Sequence, residues 1–140
     1  MLSNEIQTAI YTELKASTEL SALIVDVYDN NPLQGSAQDP AKFPFVVIGR
    51  DSYIDSSTNC STGFDGNIEI RAHARSEAGF REVKQVESAI YKALNRATLA
   101  VDNALFIGLT YVNTPAYFVE PDGMTQTAIT NFRILVDNNA

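Results

Sequence analysis

Few side chains in this 140-residue chain could act on a bond, and their spacing gives none of them a partner. There is one histidine, His73, and one cysteine, Cys60. Together they could supply a base and a nucleophile, since imidazole titrates near neutrality and a thiolate attacks readily. His73 lies between Arg71 and Arg75 on the polar side of an alternating segment, where a solvated side chain is expected rather than a base. Cys60 stands in a Ser/Thr/Asn-rich stretch with no cationic neighbour in sequence to activate it. One Cys and one His cannot complete a zinc set, and no acidic loop has calcium-binding spacing. Gly63 and Gly66 are not followed by the helix and lysine of a phosphate loop. Asp122-Gly123 reads as a tight turn with glycine at positive φ. An enzyme, a metal protein and a cofactor protein are not expected.

The elements that would position these residues centre on residues 67–94. In Asn67-Ile68-Glu69-Ile70-Arg71-Ala72-His73-Ala74-Arg75 the even positions are apolar and the odd ones polar, the pattern of a strand with one buried and one wet face. Ser76 is placed to cap a following helix, Glu77 suits its positive end, and Phe80, Val83, Val86, Ile90 and Leu94 recur at helical spacing. Strand and helix are expected to pack on each other.

Upstream, Ser3 or Asn4 can cap a helix with Ile6, Ala9, Ile10 and Leu14 on one face, and Thr18 a further turn through Leu20 and Leu23. Residues 24–28 read as a short strand and 29–42 as a long loop. Phe43-Pro44-Phe45-Val46-Val47-Ile48-Gly49 is apolar on both faces and reads as a central strand. Residues 51–66 turn polar and form either a long hairpin connection or a loop, with Tyr53, Ile54 and Phe64 as anchors. Downstream, residues 105–112 read as a strand, 114–123 as a link ending in the Pro-Asp-Gly turn, and the last strand puts Ala128, Phe132, Ile134 and Val136 on one face. The two final strands should pair antiparallel. Tyr53, Tyr117 and Phe118 then fall in loops, where aromatics serve as interface anchors or pack back on their own domain.

Length and composition fit one domain over 1–140 with an ordinary core. A net charge of −7 with scattered basic residues argues against general nucleic-acid binding. No apolar run approaches a membrane span, residues 1–13 lack signal-peptide character, and a lone cysteine fits a reducing space, so a cytosol-like compartment is expected. No repeat is visible.

Taken in order, these pieces resemble the tail-completion, or tail-terminator, proteins of long-tailed phages and phage-like particles. The resemblance rests on the first helix with Ile6, Ala9, Ile10, Tyr11 and Leu14, the Leu20–Leu23 turn, the Phe43-Pro44-Phe45-Val46-Val47-Ile48-Gly49 strand, the strand ending at Arg75-Ser76, the helix through Leu94, and Glu120-Pro121-Asp122-Gly123-Met124-Thr125. The chain departs from the family in having His73-Ala74 where an aromatic is common, and in a serine-rich 51–66 segment. The resemblance implies an α+β subunit, an antiparallel-rich sheet with two main helices packed on it and long loops. It further implies a hexameric ring at the head-proximal end of the tail tube, in contact with the tube protein and the head-completion (connector) protein. DNA would pass through its channel without specific binding. Such a virion protein assembles in the host cytoplasm and uses no cofactor, metal or membrane. Subunit contacts are expected from Tyr53, Phe64, Arg71, His73, Arg75, Tyr117 and Phe118, and a channel lining from Asp51, Asp55 and Asp65. The alternatives are a small-molecule-binding α+β module and a small hydrolase using Cys60 or His73.

Overall fold

The computed structural model describes residues 3–28, 43–55, 57, 62–75, 79–99, 106–121 and 123–138. Helix α1, Ser3–Ala16, carries Ile6, Ile10 and Leu14 four residues apart, so they line one face, and all three are fully buried. Helix α2, Thr18–Leu23, is capped by Ser17, whose hydroxyl accepts the Leu20 N–H at 3.2 Å. Thr18, the expected cap, is the first residue inside the helix. Ser17 takes the role because its backbone is the extended one that capping needs. Helix α3, Arg81–Leu94, buries Val83, Val86, Ala89, Ile90 and Leu94. It starts later than the sequence suggests: Phe80 is the N-cap residue and makes no side-chain capping bond, after Gly79 at φ +82°. A backbone at that angle cannot belong to a right-handed helix, so a helix from Ser76 is broken there. Ser76 and Glu77 lie outside the described residues, as do the 29–42 segment, Cys60 and Asp122.

Six strands follow: β1 Asp26–Tyr28, β2 Phe45–Asp55, β3 Thr62–Ala74, β4 Thr98–Leu99, β5 Phe106–Val119 and β6 Gln126–Asn138. They form one sheet in the order β1-β2-β3-β6-β5-β4. Only β1 and β2 run parallel; every other pair is antiparallel, which fits the α+β class. β3 and β6 form the centre, paired residue for residue from Thr62 opposite Asn138 to Ala74 opposite Gln126. The strand expected at the centre, β2, is second from the edge. Its residues 45–48 are nonetheless buried on both faces.

Ile68, Ile70, Ala72 and Ala74 of β3 share one core with Ala128, Phe132, Ile134 and Val136 of β6 and with the apolar sides of the three helices. The helices thus cover one sheet face. Of the two readings of residues 51–66 the hairpin is the one found, and the first part of the expected link, residues 114–119, is strand. Residues 51–55 and 62–66 form a β2–β3 ladder, because backbone pairing does not require apolar side chains. β5 runs on through Tyr117 and Phe118 to Val119, and Pro115 fits because the register is irregular between Asn113 and Ala116. The following turn is as expected: Gly123 has φ +75° and donates its N–H to Glu120 O at 2.9 Å.

Candidate interaction surfaces

The sheet face away from the helices carries the odd residues of β3 and the side chains opposite them. Along most of it, polar groups pair across or along strands. Arg133 makes a two-point contact with Asp65 at 3.0 and 2.6 Å. Asn131 donates to Asn113 at 3.0 Å, and Arg71 Nε lies 3.1 Å from Glu69 Oε2. A Cβ on Gly49 would meet Glu69 O and Oε2 at 3.0 Å, so glycine leaves room for that carboxylate beside β2. The Arg133 guanidinium holds the Asp65 carboxyl below its ordinary value.

At the end of this face near the β5–β6 turn the surface closes over. Phe45 stacks on His73 with ring centres 4.9 Å apart, and Phe43 and Tyr28 pack on Phe45 at 4.9 and 5.8 Å. His73 is therefore buried, with 5% of its surface exposed, and the solvated histidine expected from the alternation is corrected. Alternation assigns a residue to a face but does not say what covers that face. Burial, with the Arg71 charge second, lowers the His73 pKa to about 4, so the ring is neutral.

The position of its proton follows from its partners. Thr127 Oγ1 donates to Glu120 Oε1 at 2.8 Å, since a carboxylate can only accept, and that uses the one hydroxyl proton. Toward His73 Nδ1, 2.9 Å away, the same oxygen must accept, so the proton sits on Nδ1. Arg75 flanks this chain, with its guanidinium 4.4 Å from the Phe43 ring centre and Nε 3.2 Å from Thr125 Oγ1. The sequence reading missed Thr127 and Glu120. The available signal was Thr125-Gln126-Thr127, polar residues leading straight into a buried strand.

The other interface and channel candidates scatter. Tyr53 and Phe64 are half-buried against their own core. The Tyr53 hydroxyl donates to Asp51 at 3.0 Å, and burial raises its pKa. Asp51 pairs with Ile68 and Asp55 with Phe64, on the helix side, whereas Asp65 is on the opposite face. The three aspartates therefore do not form one patch within a subunit. Ser57 hydrogen bonds lower the Asp55 pKa. Tyr117, 37% exposed, leans against Phe80 and under Lys84, whose Nζ is 4.9 Å from the ring centre. Phe118 is half-buried on the other face, opposite Thr127. Glu87 of α3 accepts from Thr114 at 3.0 Å and Tyr117 at 3.5 Å, which ties the irregular part of β5 to the helix layer.

A cleft of about 410 Å³ opens between α1 and β1, with Tyr11, Asp26 and Tyr28 in its walls. Asp26, the one carboxylate among its described lining residues, is held by Lys15 at 2.8 Å, which lowers the carboxyl pKa and raises that of the amine. Among its described lining residues there is no histidine or cysteine. Among the described residues no three His, Cys, Asp or Glu side chains gather as metal ligands, and no helix is long and apolar enough to cross a membrane.

Compared with known protein families, residues 8–137 match the family of tail completion protein gp17. The chain belongs to that family. The tail-completion fold recurs in a solved chain from the virion of a native gene transfer agent particle. That chain has a TM-score of 0.83 and 23% identity, with 98% of each chain covered. A second solved chain, which bears no functional name, gives a TM-score of 0.59 at 12% identity over 96% of this chain and 92% of its own. No curated protein matches by sequence. As a tail-completion protein the chain is a structural component of a phage-type tail.

Proposed function

We propose that this tail-completion protein forms a closed ring of six copies at the head-proximal end of the tail tube, where it ends tube growth and joins the tail to the head-completion complex. The family match over residues 8–137 carries this reading. The surface chemistry is compatible with it. The face away from the helices carries paired charges, Arg133 with Asp65 and Arg71 with Glu69, beside exposed Ile54 and Leu135, as suits a subunit that meets several neighbours and releases a passing DNA. A single domain with no catalytic site is part of the same reading. Tyr117 and Val119 of β5 are exposed for subunit contact, and among the described residues no cation pairs with Asp51 or Asp55, which suits a lumen or an interface.

Deleting the gene tests this directly. Electron micrographs should show overlong tubes, or finished tails that do not join filled heads. Normal-length tails on filled heads in the deletion strain would overturn the assignment, and so would a protein that is monomeric in purified particles by native mass.

A further inference from the structure

On each edge of the sheet the outermost strand is too short to cover its neighbour. β1 pairs only with residues 45–47 of β2, and Val25 N–H donates to Pro44 O at 2.8 Å just before it. Residues 49–55 of β2 have no strand outside them among the described residues. On the other edge β4 pairs only with Ile107 and Gly108. The turn after α3 then covers Leu109 through Ala97 O at 3.2 Å and Arg96 N at 2.8 Å, and Tyr111 through Asn95 Oδ1 at 3.0 Å. Residues 112–119 of β5 are open in the same way.

The two open stretches match in length and direction. β2 and β5 run in opposite senses, because each of the three steps from β2 through β3 and β6 to β5 is antiparallel. Rotation about an axis lying roughly along the strands preserves strand direction, so the β5 of a neighbour would meet β2 antiparallel. The stretches lie at opposite ends of the sheet, since Asp55 connects through Phe64 and Val136 to Ile107. A staggered join of this kind is accommodated by strand tilt, as in closed barrels. Charge agrees: Asp51 and Asp55 stand on the helix side of β2, and on the helix side of β5 Lys84 rides over Tyr117, one turn beyond the exposed Arg81. Ile54 is 69% exposed on one edge, and Val112 and Val119 are 50% and 48% exposed on the other.

We propose that residues 49–55 of one copy lie antiparallel along residues 112–119 of the next, so that the sheet continues from subunit to subunit. The inference rests on the ring reading, because a cyclic assembly requires two different, mutually fitting patches on each copy. Pro115 and the register irregularities on one edge, with Arg50 and Asp51 on the other, discourage indiscriminate strand addition and select a partner of matching charge.

Cross-linking in a Cys60→Ser background tests the contact. Ser52→Cys combined in turn with Asn113→Cys and with Ala116→Cys should give, on oxidation, a ladder of covalent oligomers that stops at the ring. Each single cysteine should give dimers at most. A second measurement does not depend on disulfide geometry. Asp51→Lys and Lys84→Glu, each alone, should shift the native mass from ring to monomer while circular dichroism shows the subunit still folded, and the two together should restore the ring. A ring that persists in both cysteine pairs without a ladder overturns the edge contact, as does failure of the double charge swap to restore it. Absence of a ring in the unmodified protein and its particles overturns instead the reading on which the contact rests.

Discussion

Two threonines of β6 should respond in opposite directions to the same substitution. Thr130 is 1% exposed and pairs opposite Ile70 on the helix side of the sheet. Its hydroxyl is buried with no hydrogen-bond partner among the described residues. Valine keeps the shape and the β-branched backbone preference and removes the stranded polar group. Burying a hydroxyl without a partner costs about 1–3 kcal/mol, so Thr130→Val should stabilise the fold by roughly that amount. Thr127 is fully buried on the opposite face, but its hydroxyl joins His73 to Glu120. Thr127→Val leaves the His73 Nδ1–H inside the protein without an acceptor and should destabilise by about 1–3 kcal/mol.

Urea unfolding of both variants beside the parent gives the two signs directly, provided the slopes with denaturant stay equal. For a chain of this length each kcal/mol also moves the melting temperature by roughly 3–5 °C. A lower midpoint for Thr130→Val would mean that its hydroxyl is held by something that the packing around Ile70 does not reveal. A raised midpoint for Thr127→Val would remove the reason for fixing the His73 proton on Nδ1.

Ile90 is fully buried on the core side of α3, so Ile90→Ala should lower stability by about 2–5 kcal/mol in the same assay; an unchanged midpoint would refute the packing of α3 on the sheet. The folded-state pKa of His73, near 4, lies below the ordinary value of 6.5, so between those values the unfolded chain takes up a proton that the folded one refuses. Stability should therefore be full above pH 6.5 and fall by about 3 kcal/mol on acidification to pH 4, and His73→Gln should flatten that window. The carboxylates with lowered pKa, Asp26, Asp55 and Asp65, begin to weaken the fold only as the pH nears their ordinary 3.8, at the acid end of that window. A Cβ at Gly66 would come within 2.4 Å of Ser52 O and 2.5 Å of the Tyr53 ring, so Gly66→Ala should loosen the β2–β3 arm and cost about 1–3 kcal/mol, read as faster amide exchange at residues 51–55.

Where the sequence reading succeeded, one physical signal governed the outcome. Ile68, Ile70, Ala72 and Ala74 must all face one way in a strand, and Val83, Val86, Ile90 and Leu94 one way in a helix, so the period alone pairs the two surfaces. Where it failed, a second factor outweighed composition. Residues 114–123 read as a link, yet a ladder already irregular at Asn113 and Ala116 gives up no bond to hold Pro115, and the strand runs on to Val119. The polar composition of residues 51–66 left hairpin and loop equally open, and the backbone pairing of 51–55 with the strand that follows decides for the hairpin.

The site was less legible than the fold for a related reason. His73 was assigned to the correct face and the wrong environment, because the ring stacked on it is Phe45, itself backed by Phe43 and Tyr28, all distant in sequence. Asp51, Asp55 and Asp65 look like one acidic cluster along the chain, but the two-residue period puts Asp65 across the sheet from the other two, where Arg133 neutralises it. Edges are harder still. Whether residues 49–55 and 112–119 lack a neighbour depends on β1 being three residues long and β4 two, and strand ends are set by where pairing stops, not by any residue type that marks an edge. For a subunit whose partners meet it along its sheet edges, the lengths of the shortest strands decide what is left open to them.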